Sequence, residues 1–599
     1  MSTASASWRW DALFAAAGGL ALAVQIYLLR DYLVALQGDE AAVGLGLAIW
    51  LAAIAAGAAL ARAVGGAHPG RGAAAALVLL ASTGFAGALL ARVGRSLLAL
   101  PAGELLALGP ALVLALLVFV LPGGCVGAGF VWLAAAATRH GTGARRAIGR
   151  LYAIEALGSL AAGLAVSLLA IPRLPPLTGL LLLLAFGLGA AVPAVLGRLI
   201  GGRWSIPVAA AVALLAARPP AAGRLEAATQ RVRFASLAPG LPLLGWADTP
   251  YEHVAIGGGE IRALYAGGQY VTSFPDPDED EPRAHQLMLL AERPRRVLAL
   301  GGLETGALRF CLQHPVERLD LVQLDRGAFD LVRRHLPPAD RAALADPRVR
   351  VIFEDPRRFL VRSSDRYDLV LHLQPDPATL LVARSSTVEF GRLVAARLGP
   401  GGVYAVRFSA GASVQTGATG MMGASLFRSL AAVFPVVHAA PALGGLLVAG
   451  LAPAAITLAP EPLAARYRAR GLTSELFAPE LLPLLFPPER AAALEGELRR
   501  AAAGVDASSD DRPVSLLYAL SVRQQVARSA WATVLDWAAA HPAWLVLVFL
   551  CPGLLLLFRQ LALRPARDPA AAALHATAAT GACGMAWSLL LFFSFQTRV

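Results

Sequence analysis

Runs of apolar residues, most of them near 20 residues long, fill the first 217 positions: roughly 11–30, 42–63, 72–92, 107–137, 148–171, 177–200 and 204–217. A helix of about 20 apolar residues spans the hydrocarbon core of a bilayer, and backbone inside lipid must satisfy its own hydrogen bonds. The runs therefore predict a polytopic α-helical membrane domain of about seven spans. The fourth run is overlong and contains Pro122-Gly123-Gly124, which predicts a kink or a re-entrant break, and the seventh is the shortest. Two further runs follow at roughly 543–562 and 571–595. Composition agrees: at 599 residues, 57% hydrophobic, 15% charged and mean hydropathy +0.60, the chain is too apolar for a soluble protein.

Residues 219–530 regain charge and alternation and read as a domain of ordinary size set between the apolar blocks. The expected division is a membrane domain 1–218, a small β-rich subdomain 219–290, an α/β domain with a C-terminal extension 291–530, and two C-terminal spans 531–599.

The net charge of +12 is carried by arginine, since the chain has no lysine. That excludes Schiff-base and Walker-type lysine chemistry. The arginines form no basic run in the middle region, so nucleic acid is not an expected partner. They concentrate instead in the interspan loops 62–71, 139–150, 198–203 and 559–567, whereas the first interspan loop carries Asp39 and Glu40. Arginine-rich short loops stay in the cytoplasm. This favours an extracytoplasmic position for 219–530; if 204–217 does not span, the domain is cytoplasmic. The lipid bilayer is the first partner expected, with a homo-oligomer or membrane partner also open. Four cysteines, Cys125, Cys311, Cys551 and Cys583, form no CxxC, so neither a metal centre nor a disulfide framework is expected. Small residues at Gly57/Ala61 and Gly123/Gly127 have helix-packing spacing. Glu155 and Gln25 are polar residues inside predicted spans, and Glu155 is the residue past which a transported substrate would move.

Within the middle region, Val297 to Phe310 reads as strand, glycine turn, helix, with the turn at Gly301 to Gly306. Glycines allow close backbone approach to a ligand, and a helix N-terminus favours polar or anionic groups. A second strand ends at Gln323-Leu324-Asp325, where an acid can hold ribose hydroxyls. A third ends at Glu354-Asp355, a fourth runs from Tyr367 into the exit loop ending at Pro377, and a fifth follows the turn at Leu398 to Gly402. Sites in such Rossmann-like sheets lie beyond the carboxyl ends of the strands, where these polar residues fall.

Residues 249–408 resemble the spermidine synthase (polyamine aminopropyltransferase) family, and the whole chain resembles bacterial multi-spanning membrane proteins that carry such a domain. The residues behind this are Gly149 to Pro172, Ser386 to Phe390, and Ser508-Ser509-Asp510-Asp511-Arg512-Pro513. The resemblance implies a methyltransferase-like Rossmann domain preceded by a small β-subdomain, in the bacterial inner membrane. It implies decarboxylated S-adenosylmethionine or S-adenosylmethionine as co-substrate, and a polyamine or other amine as acceptor. The donor site would comprise Gly301, Gly302 and Gly306, with Asp355 in place of the family's adenine-contacting aspartate. Gln323 falls where the family has its ribose-binding glutamate, with Asp325 the nearby acid. On the substrate side, Tyr251, Glu252 and His285 match family positions, with Glu252 standing for a glutamine. The family's proton-accepting aspartate falls on Leu373, which can neither take a proton nor bind an ammonium, while Asp376 matches the second acid of that loop. Three functions follow as expectations: a transferase in which Asp376 holds the acceptor, a degenerate ligand-sensing or scaffold module, and a transporter-related protein.

Overall fold

The computed structural model describes residues 3–38, 40–65, 68–139, 144–196, 219–409, 417–453, 456–527 and 531–541, with a few positions up to 562. The predicted run 204–217 and nearly all of the two C-terminal runs lie outside the described residues. The chain divides into two compact units, Met1–Phe274 and Pro275–Val599.

In the first unit, helices α1 (Thr3–Ala35), α2 (Glu40–Val64), α3 (Pro69–Leu97), α4 (Leu108–Arg139), α5 (Ala144–Ala165, continuing as a π-helical turn Val166–Ala170) and α6 (Pro176–Leu196) form a bundle. Five of them are long and apolar enough to cross a membrane; in α6 the apolar stretch Pro176–Gly189 is shorter. Of the kink or re-entrant break expected in the fourth run, the break is corrected: α4 continues as one helix with Pro122 inside it. The glycines there serve packing instead. A Cβ on Gly57 would collide with the Gly124 carbonyl, and one on Gly127 with the Ile54 carbonyl, so α2 and α4 meet backbone to backbone. Gly18 and Gly158 do the same for α1 and α5.

Helix α7 (Pro219–Leu237) leads into a four-stranded antiparallel meander of β1 (Leu243–Asp248), β2 (His253–Gly258), β3 (Arg262–Ala266) and β4 (Gln269–Phe274). Buried charges fasten these elements to the bundle. Arg92 of α3 donates to both oxygens of Asp31 in α1 at 3.2 Å, and to Glu226 at 2.5 Å and Thr229 at 2.9 Å in α7. Arg233 of α7 also pairs with Asp31, and Glu226 accepts the Leu177 N–H at the start of α6, 3.0 Å away. An unpaired charge in such a place would be costly, and here each guanidinium has a carboxylate.

The second unit opens with α8 (Pro277–Met288), capped by Asp276, whose side chain accepts the Glu279 N–H. It then builds a seven-stranded sheet of β5 (Arg296–Leu300), β6 (Arg318–Gln323), β7 (Val349–Phe353), β8 (Tyr367–His372), β9 (Leu398–Arg407), β10 (Val436–Ala440) and β11 (Leu446–Gly450), in the order β10-β11-β9-β8-β5-β6-β7. β5 to β9 are parallel, and β11 runs antiparallel to β9 and β10. Both faces are covered. Val297, Ala299, Leu321 and Leu371 point into one core, and Leu298, Leu300, Val322 and Val370 into the other. This double burial is why β5 reads as the unbroken apolar run Val297–Leu300, whereas the buried Asp320 of β6 is paired with Arg318 at 2.7 Å. The chain goes outward from β5 to β7 and returns to β8 on the other side of β5. The topological switch point therefore lies between β5 and β8, with Leu300 level with His372.

Candidate functional site

Two loops leave the sheet at the switch point. After β5, Gly301 and Gly302 adopt φ of 72° and 79°, a left-handed conformation that disfavours side chains. The crevice beside them is not empty. A Cβ on Gly302 would lie 2.5 Å from the Leu373 Cβ, so the first residue after β8 packs directly on the glycine turn, and Leu373 is only 7% exposed. Asp280 of α8 closes the other end of the turn, against Gly306.

Glu304, inside the turn, accepts the side-chain amide of Gln323 at 2.7 Å. Burial pushes its carboxyl up, against the pull of the turn's N–H groups and of Gln323. The acid beside Gln323 is thus Glu304. Asp325 caps the helix Arg326–His335, accepting the N–H groups of Gly327 (2.8 Å) and Ala328 (3.1 Å). Asp355 likewise caps Pro356–Arg362 and pairs with Arg384 at 2.9 Å. Both aspartates sit at strand exits, with one oxygen engaged in orienting the next helix.

The exit of β8 borders a small cleft, partly open to solvent, between the ends of β8 and β9 and the helices Gly417–Ala431 and Val514–Val526. Asp376 lines it, accepts the Ser409 N–H at 3.1 Å, and is the only carboxylate among the described lining residues. Deeper in, the Tyr404 hydroxyl lies 2.9 Å from His372 Nδ1, and His372 Nε2 lies 3.3 Å from Gln374 Oε1, which also accepts from Ser385. Burial lowers His372 to about 4, so the ring is neutral at pH 7.

His285 lies elsewhere. It is fully buried in α8, with Nδ1 2.9 Å from Nε2 of His314 and its ring against Tyr467 and Phe477. Arg470 donates to Nδ1 of His314 at 2.8 Å. Burial, then Arg470, lower His314 to about 2, so it stays neutral. His285, matched by resemblance to a substrate-binding position, has its ring in the core, where it packs α8 against His314, Tyr467 and Phe477. Tyr251 and Glu252 belong to the first unit, on the turn between β1 and β2, with Tyr251 50% exposed.

The spermine/spermidine synthase domain family matches residues 279–410. A polyamine aminopropyltransferase of Synechococcus sp. (strain JA-2-3B'a(2-13)) is 31% identical over 232 residues, which are 37% of this chain and 74% of that protein. The chain belongs to the spermidine synthase family. A polyamine aminopropyltransferase of Korarchaeum cryptofilum is 33% identical over 133 residues, 22% of this chain, so the chain spans only 41% of that relative's length. A spermidine synthase crystallised with the transition-state analogue AdoDATO aligns with 42% of this chain and 88% of its own, at 19% identity and TM-score 0.34.

In this spermidine-synthase-like domain, the two phrases far apart in sequence meet. Val388 N–H donates to the Ser508 carbonyl at 2.9 Å, and Asp510 accepts from Nη1 and Nη2 of Arg357, each at 2.6 Å, and from the Thr387 hydroxyl at 2.9 Å. Their role is to lock the helix Val388–Ala395 to the segment that precedes Val514–Val526. Sequence reasoning missed Glu304, His372, Gln374 and the His314–Arg470 pair. Glu304 had a signal, an acid within the glycine turn. Arg470 had none, standing 156 positions from His314.

Proposed function

We propose that this protein is a membrane-anchored aminopropyltransferase-type protein. Its second unit takes a nucleoside-sulfonium donor, decarboxylated S-adenosylmethionine by class, over the turn Gly301–Gly306 beside Gln323. It takes a cationic amine of the polyamine class at the exit of β8. The supporting observation is Asp376, the carboxylate that borders the cleft beyond the switch point. Within the first unit, Tyr251 and Glu252 present an aromatic face and a carboxylate suited to a protonated amine. In the transfer, the amine nitrogen forms a bond to the propyl carbon of the donor. The carbon–sulfur bond breaks with its electron pair going to sulfur, the nucleoside thioether leaves, and the amine's proton passes to Asp376.

A second reading is ligand binding with little or no turnover, and Leu373 favours it. Packed on Gly302, it places a hydrocarbon where the family has a base, so proton removal rests on Asp376 alone. Calorimetric titration of the full chain with spermidine tests the amine site. Asp376→Asn is expected to weaken binding about tenfold or more, the worth of a charge-assisted contact. Equal affinity in the variant removes Asp376 from the site.

The extracytoplasmic side is proposed for the small sheet. The carboxyl ends of α1 and α3 and the start of α6 all contact α7 or the sheet, through Arg30 to the Thr249 carbonyl, Arg92 to Glu226, and Leu177 to Glu226. Arg62, Arg71, Arg139 and Arg150 fall at the other end of the bundle, with Arg150 paired to Asp11 near the start of α1. By the positive-inside rule that end is cytoplasmic. A cysteine at Gly259, between β2 and β3, should react with a membrane-impermeant maleimide in intact cells; labelling only after lysis would reverse the assignment.

A further inference from the structure

Two turns of the small sheet rest on the carboxyl end of α1. The turn between β1 and β2 is closed by Thr249, whose N–H donates to the Glu252 carbonyl at 2.9 Å, and whose hydroxyl oxygen accepts the N–H groups of Tyr251 at 3.2 Å and Glu252 at 3.1 Å. The carbonyl of the same Thr249 takes a guanidinium N–H of Arg30, in α1, at 2.6 Å. The turn between β3 and β4 has Gly267 and Gly268 at φ of 56° and 84°, and a Cβ on Gly268 would strike the Val34 carbonyl of α1. Next to it, Gln269 donates its side-chain amide to the Gln37 carbonyl at 2.5 Å. The turns are tied together where the Gly267 N–H donates to the His253 carbonyl at 2.8 Å. Asp248 and His253, paired at 2.8 Å, bracket the Tyr251–Glu252 turn, and Asp248 accepts from Gln230 of α7 at 3.4 Å. Asp31, the hub of the buried charges, is the residue after Arg30.

We infer that α1 positions the amine-binding turn: Arg30 acts as a positioning residue through which the membrane helices set the backbone of Tyr251 and Glu252. This rests on the reading of those two residues as amine-binding. Arg30 reaches only the Thr249 carbonyl, but the N–H and hydroxyl of that residue carry the hydrogen bonds to Tyr251 and Glu252 that shape the turn. A shift of α1 relative to the rest of the bundle therefore moves an aromatic face and a carboxylate together, which makes binding at this turn responsive to the state of the membrane domain.

Hydrogen exchange of the full chain in lipid nanodiscs tests this without any ligand. Arg30→Gln is expected to speed exchange of the Tyr251 and Glu252 amides by about tenfold or more, since a charged donor to the turn is lost. Amides of β5 and β8 should keep their rates, and Arg30→Lys, which retains a donor, should restore most of the protection. Unchanged exchange in Arg30→Gln overturns the inference. Where Arg30→Gln does not accumulate, Gln269→Ala cuts the second tether, and unchanged exchange at Gly267 and Gly268 overturns it equally. Spermidine titration of the same variants separates the two claims. Faster exchange with weaker binding supports both, whereas faster exchange with unchanged binding keeps the positioning role and removes Tyr251 and Glu252 from the amine site.

Discussion

Replacing Leu373 by aspartate puts a carboxylate at the exit of β8 and separates the chemistry of this position from its packing. Leu373 is 7% exposed and its Cβ meets the space above Gly302. Losing that side chain forfeits about 2–3 kcal/mol of apolar burial. A polar group poorly hydrated in the same place costs about 1–3 kcal/mol more. Leu373→Asp and Leu373→Asn should therefore both weaken the local structure by about 3–6 kcal/mol, read as faster hydrogen exchange of the β5 and β8 amides. The rates should part company. A positioned base contributes about 10²–10⁴-fold in proton transfer, so Leu373→Asp should raise release of the nucleoside thioether from decarboxylated S-adenosylmethionine and spermidine by that order, and Leu373→Asn should not. Mass spectrometry of the products measures this on the full chain. If Leu373→Asp still binds donor and amine yet turns over no faster than Leu373→Asn, the assignment of this position as the missing proton acceptor is refuted.

Other predictions concern the charges. Asp31→Asn leaves Arg92 and Arg233 buried without their shared carboxylate and should destabilise the first unit by about 3–5 kcal/mol in thermal unfolding, whereas Asp11→Asn, whose partner Arg150 is 62% exposed, should cost under about 1 kcal/mol. Equal effects would contradict the burial argument. Burial pushes the Asp280 carboxyl up to about 6, with Arg283 opposing and Asp276, Asp340 and Glu279 adding to the rise. Because the folded value exceeds the unfolded one of about 3.9, the folded state holds a proton the unfolded chain has lost, so this group's contribution is lost as pH rises from about 4 through 6. Asp280→Asn should thus gain on the parent across that window, reaching roughly 1–3 kcal/mol at pH 7; a gain that shrinks with pH would show the opposite shift.

Much of the α/β architecture was legible because its strands are buried on both faces: the run Val297–Leu300 is apolar throughout, Leu319–Val322 is interrupted only by Asp320, and the glycines at 301 and 302 mark a turn whose positive φ needs them. The long apolar helices of the first unit were legible for the same kind of reason, from length and hydropathy. Where one residue type serves two purposes the reading diverged. Pro122-Gly123-Gly124 suggested a break, yet α4 continues and its glycines let α2 approach. The candidate site was legible as a set of strand exits but not as a set of partners. Asp325 and Asp355 each orient a helix, Glu304 takes the amide of Gln323, and His285 is closed in by His314, Tyr467 and Phe477. These pairings join residues up to 192 positions apart, and no local pattern carries them. The grouping of the small sheet with the helix bundle has the same origin, since it hangs on Asp31, Arg92 and Glu226 from three separate helices.

Calorimetric titration of the full chain with decarboxylated S-adenosylmethionine tests the donor crevice most directly. One site per chain is expected, weakened about tenfold or more by Gly302→Val, whose added side chain would press on Leu373 and demand a left-handed backbone. No heat with either decarboxylated S-adenosylmethionine or S-adenosylmethionine, or binding untouched by Gly302→Val, would contradict a nucleoside-sulfonium site at this turn.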